Sequence, residues 1–271
     1  MTALLDEKLA RLQKIISGFP GAVIAFSGGA DSALLLKVAA DTLGDQVLAV
    51  TFNSMVNPPG EVDEAVRFAA AAGVKHLVVD INPLQDEEFM ANTTLRCYYC
   101  KKKLMGLLFD LAREHSYTDV LDGVNADDDG DYRPGIRAAR ELGVKSPLHE
   151  AGLSKADIRG LSRRLGLSTA EKPSAACLAS RFPYGTRITA GALRRVAEAE
   201  IFMQRRGYTQ VRVRSHGDLA RIEVPGGEIA GLLANAAEIT ARLKETGFTY
   251  VAVDLQGYRT GSMNEAILNN N

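Results

Sequence analysis

The stretch that most constrains the fold is residues 23–32, in which an apolar run ends in the turn Ser-Gly-Gly-Ala-Asp-Ser. The apolar run predicts a buried strand, and the helix-forming residues after Ser32 predict a buried helix. Gly28 and Gly29 let the backbone turn sharply and approach a ligand closely. Either Asp31 or Ser32 is suited to cap the helix. Because the free amides of a helix N-terminus bind anions, the stretch predicts a phosphate-binding loop.

The turn lacks the lysine that the Walker type of phosphate loop carries before its Ser or Thr. Ser-Gly-Gly-x-Asp-Ser after a strand instead resembles the PP-loop of the ATP pyrophosphatase superfamily. The resemblance implies that a substrate oxygen attacks the α-phosphorus of ATP while pyrophosphate leaves, with Asp31 taking part in the reaction. It also implies that the loop holds ATP through five residues: Ser27, Gly28, Gly29, Asp31 and Ser32. The alternative is a glycine turn with a capped helix and no ligand.

Apolar runs at 47–52, 76–81 and 120–123 predict further strands, with helices between them. This alternation predicts an α/β fold with a doubly wound, mostly parallel sheet of the PP-loop type. Ligands bind at the carboxyl ends of the strands in such sheets. We therefore expect the loop, and Gly123 at the end of the fourth strand, to lie at the ATP site.

The pattern changes around residues 172–189, where prolines and small residues predict an ordered junction. A helix, a hairpin, a further helix and a strand are predicted beyond it, and they indicate a small α+β domain. We expect a PP-loop ATP pyrophosphatase domain at 1–182 and a substrate-binding and oligomerisation domain at 183–271.

The formal net charge of −1 gives no electrostatic support to a nucleic-acid partner, and no apolar run is long enough to span a membrane. The apolar residues between Leu4 and Ile16 are interrupted by charged ones, which predicts an amphipathic helix rather than a secretory signal. We therefore expect a cytoplasmic protein without nucleic-acid or membrane partners. In that reducing compartment, cysteines more often bind metals or act in catalysis than form disulfides.

Cys97 and Cys100 lie three residues apart near the start of a predicted helix, so both sulfurs share one face. Cys177 lies in the small-residue junction. Three thiolates can hold three irons of a [4Fe–4S] cluster and leave the fourth iron open. Zinc would need a fourth ligand, and the four histidines show no ligand-like spacing to the cysteines. The alternatives are a redox pair at Cys97 and Cys100, or three cysteines without a shared role.

Residues 211–214 alternate valine with arginine, which places both arginines on one face of a predicted strand. Across the next turn, Arg221 and Glu223 are expected on the same face. Arginine binds phosphate and carboxylate groups through two parallel hydrogen bonds, so the face is a candidate anion site. The alternative is a solvated outer face of a hairpin.

An acidic segment at residues 125–135 follows the fourth predicted strand and contains four aspartates. Carboxylates there could bind Mg²⁺, as a phosphate-transfer site requires. We favour a solvated turn for Asp127–Asp129, and we expect Asp131, Tyr132 and Arg133 to be ordered.

With these segments in view, the chain resembles the LarE family of ATP-dependent sulfur transferases, which help build the nickel-pincer nucleotide cofactor of lactate racemase. The likeness covers nearly the whole chain. It rests on the loop and on four further segments: 131–135, 180–185, 211–214 and 254–259.

The resemblance implies that ATP with Mg²⁺ adenylates a carboxylate of pyridinium-3,5-biscarboxylic acid mononucleotide. Sulfur then displaces AMP to give a thiocarboxylate. Cys177 matches the sulfur-carrying cysteine of the family, and Arg212 and Arg214 match residues that bind the substrate phosphate. The resemblance places further binding residues near the same sites: Ser180, Arg181, Glu200 and Glu223.

Family members that sacrifice the cysteine sulfur, leaving dehydroalanine, lack equivalents of Cys97 and Cys100, which this chain has. The resemblance therefore implies the branch in which Cys97, Cys100 and Cys177 hold a [4Fe–4S] cluster with a spare sulfide. It also implies a homo-oligomer, with a transient sulfide donor as a further partner. The alternatives are a PP-loop tRNA thiolase with a three-cysteine cluster, an ammonia-using PP-loop ligase, and a non-enzymatic iron–sulfur or nucleotide sensor.

Overall fold

The structure, a computed structural model, describes residues 2–130, 134–259 and 261–265. Strands and helices alternate through its first part: α1 (Thr2–Ile16), β1 (Ala22–Ala25), α2 (Ala30–Leu43), β2 (Val47–Asn53), α3 (Glu61–Ala71), β3 (Lys75–Asp80), α4 (Glu87–Met90), α5 (Arg96–Glu114), β4 (Asp119–Leu121), α6 (Pro134–Glu141), α7 (Pro147–Glu150) and α8 (Lys155–Arg164). The later elements are α9 (Ala190–Arg205), β5 (Arg212–His216), β6 (Leu219–Glu223), α10 (Ile229–Ala234), α11 (Ala236–Glu245) and β7 (Tyr250–Val253).

The first four strands form one sheet in the order β3-β2-β1-β4, and all three pairings are parallel. Alternate residues of β1 face opposite sides of the sheet. Ile24 packs with residues of α1, α2 and α8, whereas Val23 packs with residues of α5. Helices therefore cover both faces, which explains why β1 and the first four residues of β2 are all apolar. The predicted α/β, doubly wound fold is confirmed.

Residues divide by their contacts into two compact units. The first comprises residues 1–54, 60–81 and 97–175, and the second comprises 55–59, 82–96 and 176–271. The second unit contains a three-stranded sheet in the order β5-β6-β7, with β5 and β6 antiparallel and β6 and β7 parallel. The predicted division of the chain at residue 182 stays a prediction.

Two local details differ from the expectations. The single further helix that the sequence predicts between the hairpin and the last strand is divided into α10 and α11 at Asn235, whose side-chain amide donates to the carbonyl of Gly231 (2.8 Å). Asparagine side chains compete in this way with the backbone bonds of a helix. The four-residue helices α4 and α7 are too short to show a periodic pattern. In the part of the chain that the structure describes, no helix is long and apolar enough to cross a membrane.

Candidate active site

The loop follows β1 directly, and the amide of Phe26 donates to the carbonyl of Val50 in the neighbouring strand (2.9 Å). Gly28 has a φ of +73°, a conformation that side-chain-bearing residues rarely adopt. A Cβ on Gly28 would also lie 3.1 Å from the Cβ of Ala65 in α3. Glycine is therefore required here both by the turn and by the close packing against α3.

The N-terminus of α2 differs from the prediction. Its N-cap is Gly29 and no side chain caps it, so the capping role expected for Asp31 or Ser32 is wrong. The Ser32 hydroxyl instead donates to the carbonyl of Gly29 (3.2 Å) and lies 3.1 Å from the Ser27 hydroxyl. The N-cap residue, a glycine, has no side chain to place over the first turn, and a helix N-terminus of this kind suits an anionic ligand.

Gly123 touches the start of α2, because β1 and β4 are parallel neighbours and their carboxyl ends share one edge of the sheet. A Cβ on Gly123 would lie only 3.0 Å from the amide nitrogen of Ser32 and 3.4 Å from the carbonyl carbon of Asp31. The structure thus brings together the loop and Gly123, two parts of the candidate ATP site. Their roles in binding ATP stay predictions.

Lys172, which the sequence did not identify as a site residue, attaches the loop to α3. Its ammonium group donates to the carbonyl of Gly28 (3.1 Å) and lies 2.7 Å from a carboxylate oxygen of both Glu61 and Glu64. Burial disfavours its charge, but the bonds to the two carboxylates outweigh burial and raise the pKa of Lys172. The side chain is therefore charged at neutral pH, and its charge is balanced locally.

A cavity of about 150 Å³ opens beside the loop within the first unit. It is lined by loop residues and by cationic side chains from α8 and from the following segment. The polar and glycine residues of the lining include Ser27, Gly29, Asp31, Lys155, Arg159 and Lys172. The only sequence signal for Lys155 and Arg159 was their i, i+4 spacing at the start of a helix.

The second unit contains a buried cluster of charged side chains, which we call the arginine–glutamate cluster: Arg181, Glu200, Arg212, Arg214, Arg221 and Glu223. Its most buried pair is Arg181 with Glu200, each 1% exposed. The Nε and Nη2 atoms of Arg181 bond to the two carboxylate oxygens of Glu200 (2.8 and 2.9 Å). The amide of Val213 also donates to Glu200 (2.9 Å). This geometry is the bidentate form that arginine makes with carboxylates.

Arg214 and Glu223 form a second buried pair in this cluster. The Nη2 atom of Arg214 lies 2.7 Å from Glu223 and 3.0 Å from the hydroxyl of Ser262. Its Nη1 atom donates to the carbonyl of Ser180 (2.9 Å). Arg221 reaches the other oxygen of Glu223 (2.9 Å). The strand register confirms that the arginines and Glu223 share a face.

The solvated-face alternative is wrong, because other segments of the second unit cover this face. Arg212 and Arg214 are only 8% and 5% exposed, and the guanidinium of Arg212 lies over the ring of Tyr258. Burial, followed by the nearby charge of Arg181, lowers the pKa of Arg212. Period-two patterning shows which side chains share a face but does not show what covers that face.

The cluster has an excess of two positive charges, because it contains four arginines and two glutamates. The Nε atoms of Arg214 and Arg221 are buried, and among the described residues they have no hydrogen-bond partner. A buried donor without a partner is costly, so these atoms favour a bound acceptor. A phosphate group has the charge and the oxygens to meet both needs.

The three cysteines lie in different units. Cys97 and Cys100 belong to the first turns of α5 in the first unit, whereas Cys177 precedes a short 3₁₀ segment in the second. All three side chains are thiols, and those of Cys97 and Cys177 are exposed. Nη1 of Arg181 donates to the carbonyls of Ala176 (2.9 Å) and Cys177 (3.3 Å). In the described ranges, no three His, Cys, Asp or Glu side chains are grouped as metal ligands.

The acidic segment is more ordered than a solvated turn. Asp128 is 5% exposed and accepts a bond from the amide of Asn125 (3.0 Å), so the prediction is wrong for this residue. Asp127 and Asp129 are exposed, as predicted, but both are bonded: Asp127 accepts from the amide of Lys155 (2.8 Å), and Asp129 bonds to His149 (2.7 Å). The predicted ordered residues Asp131, Tyr132 and Arg133 lie outside the described residues.

Comparisons with known proteins agree with this architecture. The NAD synthase family model matches residues 6–104, which include the loop. A chain from Synechocystis, described as uncharacterized protein slr1717, is 43% identical over 97% of this chain and 99% of its own length. Pyridinium-3,5-bisthiocarboxylic acid mononucleotide synthase from Lactiplantibacillus plantarum is 39% identical over 98% of this chain and 96% of its own length.

The chain belongs to the LarE family. This relationship confirms the expected PP-loop sulfurtransferase class, because the similarity to the synthase extends through both units. By contrast, an NH(3)-dependent NAD(+) synthetase from Aeropyrum pernix is 40% identical over only 25% of this chain. The similarity to this NAD synthetase therefore covers a quarter of the chain, whereas the similarity to the synthase covers nearly all of it.

Proposed function

We propose that this LarE-family chain uses ATP to adenylate a carboxylate of pyridinium-3,5-biscarboxylic acid mononucleotide and then replaces an oxygen of that carboxylate with sulfur. The observation that carries the proposal is the nearly full-length similarity to the synthase of L. plantarum. The loop and the arginine–glutamate cluster support it, since together they offer sites for two phosphorylated ligands.

A carboxylate is a poor electrophile, and adenylation provides it with a good leaving group. The carboxylate oxygen attacks the α-phosphorus of ATP, and the bond to the bridging oxygen breaks as pyrophosphate leaves. The amides at the N-terminus of α2 stabilise the charge that accumulates on pyrophosphate. We propose that Asp31, which borders the cavity, contributes a carboxylate ligand to the Mg²⁺ that accompanies ATP.

We propose that Arg212 and Arg214 hold the phosphate of the mononucleotide. The buried Nε atom of Arg214 and the positive excess of the cluster support this role. Glu200 and Glu223 orient arginines of the cluster rather than binding the phosphate themselves, because both carboxylates are already bonded to guanidinium groups. Arg181 in turn donates hydrogen bonds to the backbone carbonyls of Ala176 and Cys177, and so orients the backbone at the residue that we propose carries the sulfur.

For the sulfur source, we propose a [4Fe–4S] cluster held by Cys97, Cys100 and Cys177. Thiolates are the ligands that such clusters require, and the first two lie one turn apart on α5. Such a cluster would supply sulfide that is already deprotonated. The competing proposal is that Cys177 gives up its own sulfur.

The test is to purify the protein without oxygen and incubate it with ATP, Mg²⁺, sulfide and the biscarboxylate mononucleotide. We expect release of pyrophosphate that depends on the mononucleotide, and a product whose mass shows replacement of oxygen by sulfur. ATP turnover with ammonia but not with sulfide would overturn the proposal and favour an amide-forming ligase.

The sulfur source is tested with Cys97→Ala and Cys177→Ala. If the cluster is correct, both variants lose iron and both lose sulfur transfer, because three thiolates hold the cluster. If Cys177 is sacrificed instead, Cys97→Ala keeps a single transfer, and the mass of position 177 corresponds to dehydroalanine. Size-exclusion chromatography with light scattering tests the expected homo-oligomer.

A further inference from the structure

We propose that Tyr258 and Ser262 position Arg212 and Arg214 to bind the phosphate of the mononucleotide. Both are positioning residues, because each acts through the arginine that it contacts. The inference deepens the proposed function and rests on it, since that function supplies the phosphate. It gives a role to the part of the chain after β7, to which the proposed reaction assigns none.

Both side chains come from one segment of the second unit, residues 254–263 as far as the structure describes them, which we call the C-terminal segment. The segment runs beside the end of β6, where the amide of Tyr258 donates to the carbonyl of Val224 (2.8 Å). A Cβ on Gly257 would lie only 2.7 Å from the same carbonyl oxygen, so the two backbones pack closely. The position of the Tyr258 side chain is therefore set by its own backbone.

The ring of Tyr258 contacts the guanidinium of Arg212. The central carbon of the guanidinium lies 5.4 Å from the ring centroid, and the residue is 8% exposed. Burial lowers the pKa of Arg212, and so do the nearby charges of Arg181 and Arg214, whereas Glu200 attracts the guanidinium. The face of an aromatic ring attracts cations, so Tyr258 offsets part of the repulsion from the two neighbouring arginines.

Two contacts set the orientation of the Arg212 guanidinium. The ring of Tyr258 is one, and the other is the carbonyl of Val211, which accepts a bond from Nη1 (2.8 Å). A guanidinium that is already oriented loses little freedom on binding, and its fork matches two phosphate oxygens. Without the ring, the side chain would be free to move away from the like charges beside it, and phosphate binding would have to order it again.

Ser262 has the corresponding role at Arg214. Its hydroxyl accepts a bond from Nη2 of Arg214 (3.0 Å) and donates to the carboxylate of Glu223 (3.2 Å). Nη2 also bonds to Glu223 (2.7 Å), and Nη1 donates to the carbonyl of Ser180 (2.9 Å). With both Nη atoms held in this way, the buried Nε, which has no hydrogen-bond partner among the described residues, is the donor that favours a phosphate oxygen.

The test measures binding of pyridinium-3,5-biscarboxylic acid mononucleotide to the full-length protein by isothermal titration calorimetry. Tyr258→Leu removes the ring, Tyr258→Phe keeps it, and Tyr250→Leu is the matched control, because Tyr250 is 67% exposed on β7. We expect Tyr258→Leu to weaken binding by about threefold to thirtyfold, the range for a lost cation–π contact. Tyr258→Phe and the control should stay within about twofold of the wild type, because both keep the ring beside Arg212.

The corresponding nucleoside, which lacks the phosphate, separates positioning of the arginines from a general disturbance of the fold. Its affinity, measured by competition with the mononucleotide, should change by less than about twofold in Tyr258→Leu, because it has no phosphate for Arg212 to bind. An equal loss of affinity for the nucleoside and the mononucleotide would overturn the inference, and so would a mononucleotide affinity that is unchanged in Tyr258→Leu.

Ser262→Ala is the second variant, and it should weaken mononucleotide binding by about twofold to tenfold, as for one lost hydrogen bond. If Tyr258→Leu does not fold, unchanged affinity in Ser262→Ala would overturn the inference instead. If the affinities follow this pattern but the wild type does not sulfurate the mononucleotide, the proposed function fails and this inference stands. A wild type that does not bind the mononucleotide would overturn both.

Discussion

Replacing Arg181 with alanine is expected to destabilise the protein strongly, although the residue is also assigned to the candidate site. Arg181 and Glu200 are each 1% exposed, and two hydrogen bonds join them. Without the guanidinium, the Glu200 carboxylate keeps the bond from the amide of Val213 and the attraction of the nearby Arg212 charge, but it loses both bonds from its bidentate partner. Breaking a buried pair from one side costs about 3–5 kcal/mol, so we expect a loss of that size.

Unfolding in urea gives the measurement. The chain has no tryptophan, so the transition is followed by far-ultraviolet circular dichroism. The matched control is Arg187→Ala, because Arg187 also makes a bidentate contact with a glutamate, Glu87, but through its two Nη atoms and at the surface (54% and 67% exposed side chains). Exposed pairs contribute about 0–1 kcal/mol, so the control should change stability by less than about 1 kcal/mol.

A second variant separates the charge from the packing. Arg181→Met combined with Glu200→Leu removes both charges and keeps most of the volume, so it should be considerably more stable than Arg181→Ala alone. A loss below about 1 kcal/mol in Arg181→Ala would refute the reasoning, since it would mean that the two bonds from Arg181 are not needed to keep the Glu200 carboxylate buried.

Three further outcomes are expected. Asp31→Ala should abolish ATP-dependent release of pyrophosphate while the circular dichroism spectrum is retained; wild-type release would contradict the assignment of the loop. Gly123→Ala should weaken ATP binding at least tenfold in calorimetry, because its Cβ would lie 3.0 Å from the amide nitrogen of Ser32. Unchanged affinity would show that the backbone at the start of α2 can move away from the added Cβ without weakening ATP binding. Burial lowers the pKa of His76, whose ring bonds to Thr51 (2.8 Å), because burial disfavours the protonated ring. The contribution of neutral His76 to the free energy of unfolding is therefore complete above about pH 6.5 and is lost as pH falls through the lowered pKa. Urea unfolding at pH 7 and pH 5 should therefore show a smaller acid loss in His76→Gln than in the wild type, and equal losses would contradict this.

The sequence by itself determined the α/β class and the position of the loop. Apolar runs alternating with helical patterns are local features, and the strand–loop–helix at 22–43 follows from them directly. The alternation at 211–214 also established that Arg212 and Arg214 share a face, since that depends only on the two-residue period of a strand.

Only the tertiary structure decided what surrounds those residues. The arginine face is buried because Ser262, Tyr258 and the segment around Arg181 pack over it within the second unit. In the first unit, tertiary packing likewise brings Lys172 to Gly28, 144 positions away in the chain. Contacts between residues so far apart depend on how the elements pack, and a local pattern carries no information about that packing.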